Sequence, residues 1–245
     1  MAPVLGYWKI RGLATPIRLL LEQAGADYEE KLYECGPPPD FDRSSWLNEK
    51  FTLGLDFPNL PYYMDDDVKL SQSHVILRYL ARKHKLNGHN EQESVRTDLV
   101  ATQALEYHID YARTMAYNPE HEKNKETYEK NLADRLKALA EFLGDRQFVA
   151  GDHVTYGDFV LYEYLEGQNF YKPGVLKDYP VLEKFVGRIN ELESVKRYFS
   201  SAGAIEAPFN AAPAYIGGPY SDQMANIPFN GAFFGGQYSD LMSKK

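Results

Sequence analysis

Hydrophobic and polar positions follow one pattern up to about residue 85 and another beyond it. The first stretch alternates strands and helices. Val4, Leu5, Gly6, Tyr7 and Trp8 form a short apolar run that opens into Lys9-Ile10-Arg11-Gly12, which suits a buried strand ending at Tyr7 and Trp8. Thr15-Pro16 supplies an N-cap and a first-turn proline, Ile17, Leu20, Leu21 and Ala24 recur at helical spacing, and Gly25 stops the helix. A weaker strand spans 28–33, the proline-rich 36–40 is a loop, and 44–51 turns once or twice. Tyr62-Tyr63-Met64 and Val68-Lys69-Leu70 flank an Asp65-Asp66-Asp67 turn and read as a hairpin. Pro61 lacks a backbone donor and belongs at the first residue of that strand, where a cis bond would turn the Leu60 backbone outward. Ser71-Gln72-Ser73 then precede a helix with Ile76, Leu77 and Leu80 on its apolar face. Unpaired N–H groups near Ser73 suit a carboxylate.

Residues 86–90 are polar and turn-rich, a linker, and beyond them strand signals vanish. Val95, Leu99, Leu105, Ile109 and Ala112, with Thr102 in the gap, define one apolar stripe, and Tyr128, Leu132, Leu136, Leu139 and Leu143 a second. Both are expected in the core. Thr155-x-x-Asp158 is a capping-box variant ahead of Phe159, Leu161, Tyr162 and Leu165, which makes Asp158 a folding residue. Helices near 179–190 and 194–202 complete a helical domain over 91–202. Residues 203–245 form a Gly/Pro/aromatic-rich tail with a duplication. Pro208-Phe209-Asn210 recurs as Pro228-Phe229-Asn230, and Gly217-Gly218-Pro219-Tyr220-Ser221-Asp222-Gln223-Met224 as Gly235-Gly236-Gln237-Tyr238-Ser239-Asp240-Leu241-Met242. The tail reads first as a duplicated extended segment of mixed order, and its repeated aromatics raise the other reading, that it packs over a substrate pocket or onto a partner.

The composition, 44% apolar and 25% charged over 245 residues, is that of an ordinary globular protein large enough for two domains. A net charge of -8, with no basic stripe, excludes a nucleic-acid partner from the expectations. The single Cys35 fits a reducing cytosol, and neither a signal peptide nor a membrane-spanning run is visible. No metal site is expected: His84 and His89 are separated by a loop, and His121 and His153 stand alone.

Asn59-Leu60-Pro61 at a strand entry, followed by Gln72-Ser73 at a helix start, resembles the glutathione site of the glutathione transferases. Leu5-Gly6-Tyr7-Trp8 and the block from Asp42 to Phe51 resemble the mu class, over about residues 1–202. The resemblance implies a thioredoxin-like α/β domain with a mixed sheet (1–85), an all-α domain (91–202), a cytoplasmic homodimer, and conjugation of glutathione to small apolar electrophiles in detoxification. It makes Tyr7 the catalytic residue, donating a hydrogen bond to the glutathione sulfur, with Trp8 and Leu13 beside it. Arg43, Trp46 and Lys50 would take the glycine carboxylate, Asn59 and Leu60 the peptide middle, and Gln72 and Ser73 the γ-glutamyl carboxylate. Glu106, standing where the class has aspartate, would reach the glutamyl ammonium of the partner subunit's site. Phe57, for which a place in its own chain's core is the other reading, and Arg78 fall at the dimer interface, and His108, Met115 and Tyr117 join Leu13 in the electrophile pocket. Between Glu106 and Tyr117 the chain carries one extra residue, which implies a helix bulge or a displaced hydroxyl. A non-catalytic structural or apolar-ligand protein on the same fold is the alternative, and a glutathione-dependent isomerase a third reading.

Overall fold

The computed structural model describes residues 2–227. Strand β1 (Val4–Trp8) lies at the centre of a four-stranded sheet of order β2-β1-β3-β4. β2 (Glu29–Tyr33) runs parallel to it after the crossover helix α1 (Thr15–Ala24), while β3 (Tyr62–Met64) and β4 (Lys69–Ser71) are antiparallel. The sheet is mixed, as the sequence implied. Gly6 pairs with Tyr62, and a Cβ there would fall 2.2 Å from the Tyr62 ring, so β1 can pass only as glycine at that point. A single turn, α2 (Ser44–Leu47), and helix α3 (Ser73–Lys83) complete this half. Thr15 is not the cap expected of it. A 3-10 turn over Gly12–Ala14 leads directly into α1, so Thr15 is already helical and Ala14 takes the cap position.

The helical half comprises α4 (Glu91–Tyr111), α5 (His121–Leu143), α6 (Tyr156–Tyr171), α7 (Pro180–Asn190) and α8 (Glu193–Ser200). α6 is the central helix, apolar nearly all round, and one core joins it to α1 and α3 of the first half. The Thr155–Asp158 capping box forms at its start, and the buried Asp158 carboxylate accepts from Val149 N (2.7 Å), Thr155 N (2.7 Å) and Thr155 Oγ1 (2.8 Å). The α5 stripe is buried as expected.

The α4 stripe is not. Val95 is 56% exposed and Leu99 58%, while Thr97, Val100, Ala101 and Ala104 face inward. Close approach is the reason: a Cβ on Gly157 of α6 would lie 3.0 Å from Thr97, so the seam admits only small side chains and the larger apolar ones point away. α4 continues as a π-helical turn over Ala112–Ala116, which takes up the extra residue ahead of Tyr117 as a bulge. The chain after α8 returns across the molecule. Arg11 N donates to Pro208 O (2.9 Å), Gly12 N to Phe209 O (3.2 Å) and Tyr215 N to Ala116 O (2.7 Å), and Met224 is buried against Phe41 and Ala212. The second copy of the tail repeat lies outside the described residues.

Candidate functional site

A cavity of about 280 Å³ opens between the end of β1 and the π-helical turn. Ten of the side chains anticipated from sequence line it: Tyr7, Trp8, Leu13, Arg43, Trp46, Lys50, Asn59, Leu60, His108 and Tyr117. The Tyr7 hydroxyl is held in place by the loop that follows it. It accepts from Leu13 N at 3.1 Å, and the side chain is only 6% exposed. That loop is braced from beneath by fully buried Arg18, whose Nη1 donates to Ile10 O (2.9 Å) and whose Nε donates to Glu30 (2.6 Å). Burial pushes the Tyr7 phenol up, against the lowering by the Leu13 amide, so it stays a proton donor at neutral pH.

On the opposite wall Trp46 stacks on Tyr62 with centroids 6.1 Å apart and meets Tyr33 edge-on at 5.3 Å, which fixes α2 against the sheet. Lys50 is buried, with its Nζ 5.3 Å from the Phe51 ring. Asn59 Oδ1 accepts from Leu60 N (2.9 Å) just before the cis Leu60-Pro61 bond, leaving the Leu60 backbone at the cavity wall. Gln72 adopts φ 71°, ψ 105° ahead of α3, an uncommon conformation for a non-glycine residue. Ser73 is buried and lines a narrow adjoining cavity with Leu13 and His108, while Gln72 is exposed and lines neither.

The electrophile side differs from expectation at one residue. Met115 is buried in the core instead, because the π-helical turn rotates it inward between α4 and α5. Tyr117 does reach the cavity, and its hydroxyl accepts from Ala211 N at 2.7 Å. Burial raises its phenol strongly and lowers His108 to about 4, so that imidazole is neutral at pH 7. Sequence reasoning missed Ile10, Gly12, Leu47, Ile109, Ala112 and Arg113, and named the tail only as a whole. Phe209, Asn210 and Ala211 are the tail residues that close the cavity. Their signal was the repeated Pro-Phe-Asn motif. Phe209 stacks on Phe170 (4.7 Å) and lies 4.4 Å from the guanidinium of Arg11. Arg11 in turn forms a buried pair with Glu163 at 2.6 Å. Burial works against the Arg11 charge, but the facing carboxylate outweighs it and raises its pKa.

Among the residues expected to serve a dimer, Phe57 is 69% exposed and therefore not a core residue of this chain. Glu106 is on an exposed face of α4, accepting from Gln103 Nε2 at 3.2 Å, and lines neither cavity. Arg78 ties α3 to α4 through Thr102 Oγ1 (3.1 Å) and Asp98 (3.4 Å). One expectation is overturned: His153 does not stand alone. Its ring stacks on His89, with centroids 3.7 Å apart, beside Glu93. A separation of 64 residues along the chain hid that pairing.

Residues 3–82 match the family described as Glutathione S-transferase, N-terminal domain, and residues 106–202 match Glutathione S-transferase, C-terminal domain. The chain is 45% identical to Glutathione S-transferase Mu 1 of Mus musculus over 215 residues, which are 88% of this chain and 98% of that one. It is 46% identical to Glutathione S-transferase Mu 1 of Homo sapiens over 208 residues, 85% and 95% of the two chains. Among solved structures, the glutathione S-transferase Blo t 8 is similar with a TM-score of 0.73 and 32% identity, covering 87% of this chain and 99% of that one. The Pi-class glutathione S-transferase of Onchocerca volvulus is similar with a TM-score of 0.75 at 29% identity, covering 87% of this chain and 100% of that one.

Proposed function

The chain belongs to the glutathione S-transferase family, as a mu-class glutathione transferase, and on that premise we propose that Tyr7 ionises the glutathione thiol for attack on small apolar electrophiles. The observation that carries this is the orientation of the Tyr7 hydroxyl. It accepts from Leu13 N at the cavity wall, so the phenol's own proton is left to be donated to a thiol bound there. A thiol with an ordinary pKa near 8.5 is only a few per cent thiolate at pH 7, and a charge-assisted hydrogen bond favours the anion over the neutral form. Trp46, Lys50 and Arg43 hold the glycine carboxylate, Asn59 and the Leu60 backbone the peptide middle, and Gln72 and Ser73 the γ-glutamyl carboxylate. A bond forms between sulfur and the electrophilic carbon, the electron pair passes to a leaving group or to an adjacent atom that takes a proton, and the thiol proton is lost to solvent. Tyr117, accepting from Ala211, donates toward the charge that develops on the electrophile.

The protein acts as a cytosolic homodimer. Supporting this are exposed Phe57, Val75, Val95 and Leu99, an apolar set of the sort an interface covers, and a Glu106 that does not line its own chain's cavity. No helix among the described residues is long and apolar enough to cross a membrane. An ultraviolet titration of glutathione bound to the full chain tests the assignment. A bound thiol ionising well below its free value is the expected result, and unshifted ionisation would favour the non-catalytic alternative.

A further inference from the structure

Outside the transferase site, three side chains converge where the linker, the start of α4 and the loop before α6 meet. We propose that His89, Glu93 and His153 form a binding site for one divalent transition-metal cation of the kind that prefers imidazole, such as Zn²⁺. The ligand types are the first argument. Two imidazoles and one carboxylate make a set that zinc accepts with a fourth position open, whereas magnesium and calcium demand oxygen ligands throughout.

Geometry is the second argument. One ligand atom from each residue lies within 4.8 Å of the others. A tetrahedral zinc site with bonds near 2.1 Å separates its ligand atoms by roughly 3.4 Å, so the site closes when the exposed His89 ring turns out of its stack and brings both imidazole lone pairs onto one point. Glu93 is held from behind: Oε2 accepts from His89 N at 2.7 Å and Oε1 from Asn90 Nδ2 at 2.8 Å. His153 Nε2 is buried and lies 3.3 Å from Glu93 Oε2, yet makes no hydrogen bond of acceptable geometry. Its lone partnerless nitrogen faces the cluster. The other ring nitrogen, Nδ1, lies 3.2 Å from Asp152 Oδ1, the carboxylate–histidine arrangement that orients a metal-bound imidazole. His89 stacks on the same ring, with planes 15° apart, and is exposed, so its imidazole can turn toward the ion.

Helix capping accounts for only part of this. Asn90 Oδ1 accepts from Glu93 N at 3.0 Å and caps α4, which explains Glu93 but neither histidine. A bound cation would tie the linker and the start of α4 to the loop that carries the α6 capping box, and none of its ligands lines the cavity that holds Tyr7. Binding to the folded chain alone raises its apparent stability by mass action.

The test is equilibrium dialysis and calorimetric titration of the chelator-treated full chain with Zn²⁺, in the absence of glutathione, which would itself bind the metal. A Cys35→Ser background removes the lone thiol as a competing ligand. Expected are one cation per chain, a rise in melting temperature on adding Zn²⁺, and at least tenfold weaker binding in both His89→Gln and His153→Gln, with glutathione-conjugating activity unchanged. His89 is exposed, so its variant folds even if that of His153 does not. Binding of equal strength in His89→Gln, or no binding by the parent chain up to about 100 µM Zn²⁺, would overturn the assignment.

Discussion

Replacing Tyr7 by phenylalanine removes one oxygen and changes two interactions. The first is the Leu13 N contact at 3.1 Å, the second the hydrogen bond offered to the thiolate. A hydrogen bond to a charged group is worth about 1.5–3 kcal/mol, and 1.36 kcal/mol corresponds to one pKa unit, so the bound thiol is expected to ionise about one to two units higher in the variant. The pH profile separates this from misfolding. Below the thiol pKa, kcat/KM falls roughly 10–100-fold relative to the parent, and the gap narrows as pH rises and solvent ionises the thiol unaided. Burial keeps the phenol protonated, so its own titration does not intrude near neutrality. The assays are ultraviolet titration of the bound thiolate and steady-state kinetics against pH, with glutathione affinity measured alongside. An unchanged thiol ionisation in Tyr7→Phe, with affinity retained, would refute the role and shift attention to the Leu13 amide.

Asp158→Ala leaves the buried Val149 and Thr155 amides without their acceptor and removes the α6 cap, so urea unfolding should show a loss of about 3 kcal/mol or more; a loss under about 1 kcal/mol would contradict it. Burial raises the Asp158 carboxyl from 3.8 to about 6, against its three hydrogen bonds. The native chain therefore holds a proton there that the unfolded chain has released, and stability relative to Asp158→Asn should fall as pH rises from about 4 to about 6, by at most about 3 kcal/mol. A flat difference across that window would refute it. Ending the chain at Gly203 removes the Phe209–Ala211 wall and the Ala211–Tyr117 contact, so glutathione affinity should persist while preference shifts toward bulkier electrophiles; an unaltered substrate profile would dismiss the tail's role. Phe57→Ser should move sedimentation mass from dimer toward monomer, and Glu106→Ala should alter glutathione affinity. No change in either would remove that residue from the proposed assembly.

Local pattern made much of the molecule legible. The β1 run, the hairpin, the α5 stripe and the α6 capping box depend on interactions a few residues apart, and each formed where its spacing pointed. The extra residue before Tyr117 left a bulge or a displaced hydroxyl open, and the π-helical turn is the first of these, with Tyr117 still at the cavity. Seven of the ten site residues were named from contiguous words, Leu-Gly-Tyr-Trp, Asn-Leu-Pro and the block from Asp42 to Phe51, while Leu13, His108 and Tyr117 followed from the resemblance as a whole. Tertiary structure decided what depends on distant partners. Which face of α4 is buried turned on how closely Gly157 lets α6 approach Thr97, a relation between helices that no single-helix periodicity contains. Met115 left the cavity because the same bulge that kept Tyr117 in reach rotated it inward. The descent of Phe209 onto Arg11, and the meeting of His153 with His89, rest on contacts between segments 198 and 64 residues apart. Hydrophobic spacing reports one element's own faces, whereas such meetings are set by how all the elements pack.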